Sequence, residues 1–229
     1  MSEYLRQKWM NLTKGLTPKV KALDENSYSL DIKNYFDLIE LDYSEPHRFY
    51  HTLEHLTNMF ISLDCFVPPQ YRTKAVQYAI FYHDLKYDPL RKDNEDRSNS
   101  RAIATLNTAG EDEETIILVS AMIKATKEHK IPTFIDNSSA LFHNRLPELK
   151  YFLDLDLSIL ASIPKYYDKY KENIRKEYYM YSNKEYKEGR IKVLLNFLNR
   201  KEIFFTEEFK IFEKEAKKNM VRELLELRS

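Results

Sequence analysis

Three short stretches of this chain carry side chains able to hold a metal ion or move protons: His51 with His55, the adjacent pair His83-Asp84, and Asp154 with Asp156. His51 and His55 are four residues apart in an apparent helix over about 49–64, a spacing that places both imidazoles on one face. Two such imidazoles can share a metal, or one can bind it while the other transfers protons. Zinc-protease chemistry at this spacing requires Glu directly after the first histidine. Thr52 stands there, so that chemistry is not supported. His83-Asp84 closes an apolar run, Ala79-Ile80-Phe81-Tyr82. Adjacent His and Asp converge on one ion where a helix end bends; otherwise they form a polar pair facing water.

Asp154 and Asp156 interrupt the apolar segment YFLDLDLSILA and point in different directions on a helix, so one of them is expected to face inward. A buried carboxylate needs a metal, a cation or hydrogen-bond donors. Taken together, these groups form a mixed nitrogen and oxygen donor set. It suits manganese, iron, nickel, cobalt or zinc and is poorer for calcium. A divalent ion held this way keeps open positions, acidifies water and polarises a phosphoryl oxygen.

The elements that must position these groups read as helices almost throughout. Thr17-Pro18 opens a first helix over 18–40, and Ser44-Glu45-Pro46 breaks the chain. Further helices are predicted over about 49–64, 71–87, 96–108 and 112–127. Acidic residues between Glu111 and Glu114 suit the positive end of the last of these. Residues 130–145, with Pro132, read as loop. Helices then follow over about 147–161, 165–181, 184–199 and 206–227. The expected fold class is all-α: one compact helical bundle over 1–229, with a core over about 45–165 and C-terminal helices packed on it.

Composition narrows the function classes. Lys plus Arg and Asp plus Glu are both 36, which argues against a nucleic-acid polymer as partner. A small anionic substrate needs only a local positive site. Three glycines, Gly15, Gly110 and Gly189, cannot build a phosphate-cradling loop, so Rossmann and P-loop readings fail. The single cysteine, Cys65, forms no intramolecular disulfide, and no run of about 18 apolar residues occurs. A cytoplasmic protein without a membrane span is expected.

The order His, His-Asp, Asp on successive helices resembles the HD superfamily of metal-dependent phosphohydrolases. Arg48-Phe49-Tyr50-His51-Thr52-Leu53-Glu54-His55, Phe81-Tyr82-His83-Asp84 and Asn94-Glu95-Asp96-Arg97-Ser98 resemble a group of uncharacterised predicted HD phosphohydrolases. So do Ala125-Thr126-Lys127-Glu128-His129, Leu153-Asp154-Leu155-Asp156-Leu157 and Ile174-Arg175-Lys176-Glu177-Tyr178, then Gly189-Arg190 and Ala216-Lys217-Lys218-Asn219. The resemblance spans the chain from about residue 40 onward. Tyr50-His51 and Asp156-Leu157-Ser158 are also similar to stretches of the cyclic-nucleotide phosphodiesterases, distant members of the superfamily. Thr52 departs from their pattern, which has Asn there.

The resemblance implies an HD-domain-like fold, a metal centre of His55, His83, Asp84 and Asp156, and His51 as the acid that protonates the leaving oxygen. One divalent transition ion is expected ahead of two, and the sequence leaves the number open. Glu95 is the candidate general base or brace for the ligands, or a helix-start acid. His129 is a candidate contact to substrate or to a second metal. Arg48, Lys127 and Arg190 are candidates for holding phosphate, since guanidinium forks match its oxygens. His47 and His143 are assigned no role. The implied activity is hydrolysis of a phosphate ester of a nucleotide or other small molecule. Two alternatives stand beside it: a metal-containing regulatory protein without efficient turnover, and a di-iron oxygenase. Oligomeric state is open, a homodimer included.

Overall fold

The computed structural model describes residues 1–18, 34–132 and 140–229. Among them are eleven α-helices and no strand, the expected all-α class. They are α1 (Ser2–Leu12), α2 (Asn34–Asp42), α3 (Leu53–Phe66), α4 (Lys74–Tyr82), α5 (Asn94–Ala109) and α6 (Glu113–Thr126). After these come α7 (Ala140–Leu157), α8 (Pro164–Glu177), α9 (Asn183–Leu198), α10 (Glu207–Lys210) and α11 (Glu213–Arg228). Short 3-10 turns at Pro69–Tyr71 and Ser158–Ala161 join α3 to α4 and α7 to α8.

Helix α4 is the axis of the bundle. Seven of its residues, Ala75, Val76, Tyr78, Ala79, Ile80, Phe81 and Tyr82, are buried. A helix apolar on nearly every side must be enclosed, and α3, α5, α6 and α7 pack around it. Helix α1 closes one flank through Leu5, Trp9 and Leu12, a buried stripe at four- and three-residue spacing. The Trp9 ring meets Tyr78, Phe81 and Tyr82 edge-on, with centroids 5.9, 5.3 and 6.0 Å away. This helix lies ahead of the first one expected from the sequence. At the other end, α11 packs on α9 and on the 158–161 turn, and α8 packs on that same turn.

Local chemistry sets several boundaries. Asp112 caps α6 by accepting from Thr115 N, and Ser182 with Glu185 forms a reciprocal capping box at the start of α9. Gly110 ends α5 at φ +86°. A Cβ there would run into the carbonyl oxygen of Thr17, so only glycine fits.

Several expectations change. Most of the predicted 18–40 helix, residues 19–33, lies outside the described residues, as do 133–139 of the predicted 130–145 loop; the helical part described is α2. The helix expected from 147 begins at Ala140 and carries Pro147 inside it. The final predicted helix is broken into α10 and α11, where Phe209 and Phe212 both turn onto Phe66, with ring centroids 5.8 and 5.4 Å away. Among the described residues, no helix is long and apolar enough to cross a membrane.

Candidate metal centre

His55 lies on the first turn of α3, one face of which (His55, Leu56, Met59, Phe60, Leu63) is buried. His83 is the residue that ends α4, still in helical conformation, with Asp84 just beyond. Asp156 comes from the last turn of α7. These three helix ends bring His55 Nε2, His83 Nε2 and one Asp156 oxygen within 4.8 Å of one another. The two Nε2 atoms are 3.2 Å apart, and Asp156 Oδ1 is 3.2 Å from His55 Nε2 and 3.5 Å from His83 Nε2. Asp84 Oδ2 adds a fourth donor, 3.1 Å from His83 Nε2.

These separations fit a shared ion. Donors about 2.0–2.2 Å from one metal, at tetrahedral or octahedral angles, sit roughly 3.0–3.6 Å from each other. The tautomer fits as well. His83 Nδ1 lies 3.1 Å from the Ile80 carbonyl oxygen, so an N–H there donates to it and leaves the Nε2 lone pair facing the cluster. Burial works against charge on every member. Asp84 and Asp156 outweigh it at His83 and push that imidazole well up, while burial holds His55 down. Both carboxylates are held below their usual range despite burial, Asp84 by His83 and His51, Asp156 by His83, His129 and His55. Two buried carboxylates need a cation beside them, and a metal ion in place of the His83 proton would supply it.

His51 is not on the helix with His55. It sits in the turn before Thr52, which caps α3, so the one-face argument from four-residue spacing does not hold. Both imidazoles nevertheless reach the same place, their ring centroids 6.2 Å apart, and His51 Nε2 is 3.8 Å from Asp84 Oδ2. The orienting group is Glu177, at the C-terminus of α8 and fully buried. Its Oε1 accepts from the backbone N–H groups of Phe49, Tyr50 and His51, and its Oε2 is 2.6 Å from His51 Nδ1. Tyr87 donates its hydroxyl to the same Oε2, at 3.0 Å. Burial favours the neutral forms of both partners, yet their mutual attraction prevails. His51 is raised, by Glu177 first and Asp84 second, and Glu177 is lowered to about 2. In the sequence Glu177 falls within a resembling stretch, and no spacing signal ties it to His51.

Arg48 is placed differently from the phosphate-holding role expected of it. Its side chain is fully buried: Nε binds Glu45, Nη1 donates to the carbonyls of His51 and Asp84, and Nη2 donates to that of Leu85. It clamps together the two turns that carry His51 and Asp84. Arg190 is likewise engaged. It forms a two-pronged pair with Glu223, at 2.8 and 3.0 Å, and reaches Tyr170 Oη with Nη1. Lys127 is half-exposed and lies 3.7 Å from Asp96. His129 holds Asp156 from outside the cluster, Nε2 to Oδ2 at 2.8 Å, from a backbone at φ +46°. Arg200 secures that turn by donating to the carbonyls of Glu128 and His129. Glu95 makes no hydrogen bond or ion pair with the cluster among the described residues, but it lines the cavity above it.

That cavity encloses about 760 Å³ and reaches His51, Asp84, Asp156, Lys127 and His129 at one end. Four tyrosines, Tyr170, Tyr178, Tyr181 and Tyr186, also line it. Asp154, the other candidate aspartate, faces elsewhere and is fully buried. It accepts from Phe205 N, Thr206 N and Thr206 Oγ1, fastening the 203–206 segment. Both aspartates are thus enclosed, one in the donor cluster and one in a backbone cradle. No protein-family model, curated protein or solved structure matches the chain. The HD resemblance therefore rests on its motifs.

Proposed function

We propose that the chain is a metal-dependent phosphohydrolase acting on a phosphate ester of a nucleotide or another small molecule. One observation carries this reading: a convergent His55, His83, Asp156 and Asp84 donor set beside a buried His51–Glu177 pair, at the end of a large cavity. His55, His83, Asp84 and Asp156 would hold one divalent transition ion, which supplies Lewis acidity toward a phosphoryl oxygen and lowers the pKa of water.

The chain's own groups do the rest. His51, kept protonated by Glu177, offers its Nε2–H to the leaving oxygen. Glu177 fixes the imidazole by taking its Nδ1–H, and Arg48 holds the His51 and Asp84 turns in register. Lys127, at the cavity rim, offers a charge to phosphate oxygens. The four cavity tyrosines pack the remainder of the substrate and shed water from it.

The test is phosphate release from a panel of nucleoside phosphates and simple phosphate esters, with manganese, iron, cobalt, nickel or zinc supplied. Metal-dependent release from at least one ester is expected, abolished by chelation. His51→Gln should keep the metal and lose about 100-fold or more in rate. Failure of the metal-loaded protein to hydrolyse any ester would remove the hydrolase reading.

A further inference from the structure

A second cavity, of about 510 Å³, opens on the opposite side of the wall formed by Tyr50, Ile159 and Tyr170, three residues that line both cavities. It lies between α3, the 158–161 turn, α8 and the segment leading through α10. His55 lines it, whereas His51, Asp84 and Asp156 line the first cavity. The wall is one side chain thick at Tyr50, whose ring lies 4.9 Å from His55 and 4.7 Å from Tyr170. The second cavity thus adjoins the candidate metal centre through Tyr50 and His55.

We propose that this cavity binds a neutral, largely aromatic small molecule. Its volume falls within the range of small-molecule sites, roughly 300–1,000 Å³. Its lining is rich in phenylalanine, including Phe204, Phe209 and Phe212 inside. At the mouth Phe49, Ile61, Phe66 and Tyr166 are 43, 50, 42 and 55 % exposed, a concentration of apolar surface around one opening. Charge in the lining cancels: Glu54 and Lys169 pair with each other at 2.7 Å, so nothing is left over to hold a phosphate or a carboxylate. Ser162, which also lines the cavity, has a buried hydroxyl without a hydrogen-bond partner. That oxygen is closed off from the cavity space, so what the lining offers a ligand is apolar packing. This inference does not depend on the hydrolase reading.

The probes are naphthalene and 2-naphthoate, added to the full chain with methionine and isoleucine methyl groups labelled for NMR. Saturable shifts at Met59 and Ile61 are expected, with Met220 of the first cavity unmoved. Naphthalene should bind at least tenfold tighter than 2-naphthoate, because no unpaired cation in the lining meets the carboxylate, and equal affinities would overturn the proposal. Ser62→Trp, which fills the cavity from α3, should abolish binding. Should that variant misfold, Ile61→Asp at the exposed mouth should weaken binding at least tenfold with the helical spectrum intact. Shifts confined to Met220, or unchanged binding in both blocking variants, would overturn the proposal. So would a concentration-dependent dimer that buries the mouth and excludes the probes.

Discussion

Glu177 and His51 are 126 residues apart in the chain, and a carboxylate oxygen of one lies 2.6 Å from an imidazole nitrogen of the other. The same carboxylate gathers three consecutive backbone N–H groups, so the turn carrying His51 is built around it. This one contact sets both the direction of the His51 ring and its readiness to carry a proton.

Glu177→Gln should therefore lower the His51 pKa, read by NMR titration, while leaving metal content unchanged. The linkage has a definite sign. Glu177 is depressed from 4.5 to about 2, so its contribution is present above about 4.5 and lost as pH falls toward about 2. Its size is on the order of 3 kcal/mol, shared with His51 rather than added to it. Wild-type stability should fall more steeply through that acid window than the variant's. Parallel pH profiles would show that the pair has no such coupling.

Arg48→Lys separates clamping from phosphate binding. A lysine keeps the charge but cannot bridge the carbonyls of His51, Asp84 and Leu85 at once. Metal affinity should drop about 10- to 100-fold, as it does when groups supporting metal ligands are removed. A variant with normal metal affinity and a raised KM alone would return Arg48 to the phosphate.

Asp154 should show the opposite pH behaviour to Glu177. Burial pushes its carboxyl from 3.8 up to about 6, against the donors of Phe205 and Thr206. A raised acid favours the folded state below about 3.8 and loses that contribution as pH rises through about 6. Asp154→Asn should flatten the stability profile between those values, measured by urea unfolding at several pH values. An unchanged profile would mean that the carboxyl is not held up by its surroundings.

Trp9→Ala should cost about 3–5 kcal/mol, the usual range for a large aromatic removed from a core. Trp9 is 1 % exposed and supports Tyr78, Phe81 and Tyr82, the face of α4 that leads into His83. A urea midpoint shift worth under about 1 kcal/mol would show that α1 is dispensable packing.

What the sequence disclosed follows from the range of each interaction. The His83-Asp84 pair was legible as a candidate because seven buried residues of α4 leave a polar pair at its end with nowhere apolar to go. The all-helical class was legible from apolar periodicity. Helix α1 was legible in principle, since Leu5, Trp9 and Leu12 keep a helical stripe, but charged neighbours mask it. His51 deceived because four-residue spacing holds only inside a helix, and Thr52 starts α3 one residue too late for that. Glu177 was hidden for another reason. It ends a helix crowded with Lys and Glu, and only tertiary packing selects it from those neighbours. Arg48 and Arg190 carry phosphate-binding chemistry, yet backbone carbonyls and Glu223 engage them first.

The most direct measurement is metal content by mass spectrometry on purified wild-type protein and Asp156→Asn, each after incubation with manganese, iron, cobalt, nickel and zinc. The isosteric change removes the carboxylate that contacts both His55 and His83 while keeping its volume. About one transition ion per chain is expected in the wild type, with most of it lost from a variant that keeps its helical content. No ion in the wild type, or equal loading of both proteins, would contradict a metal centre at His55, His83, Asp84 and Asp156.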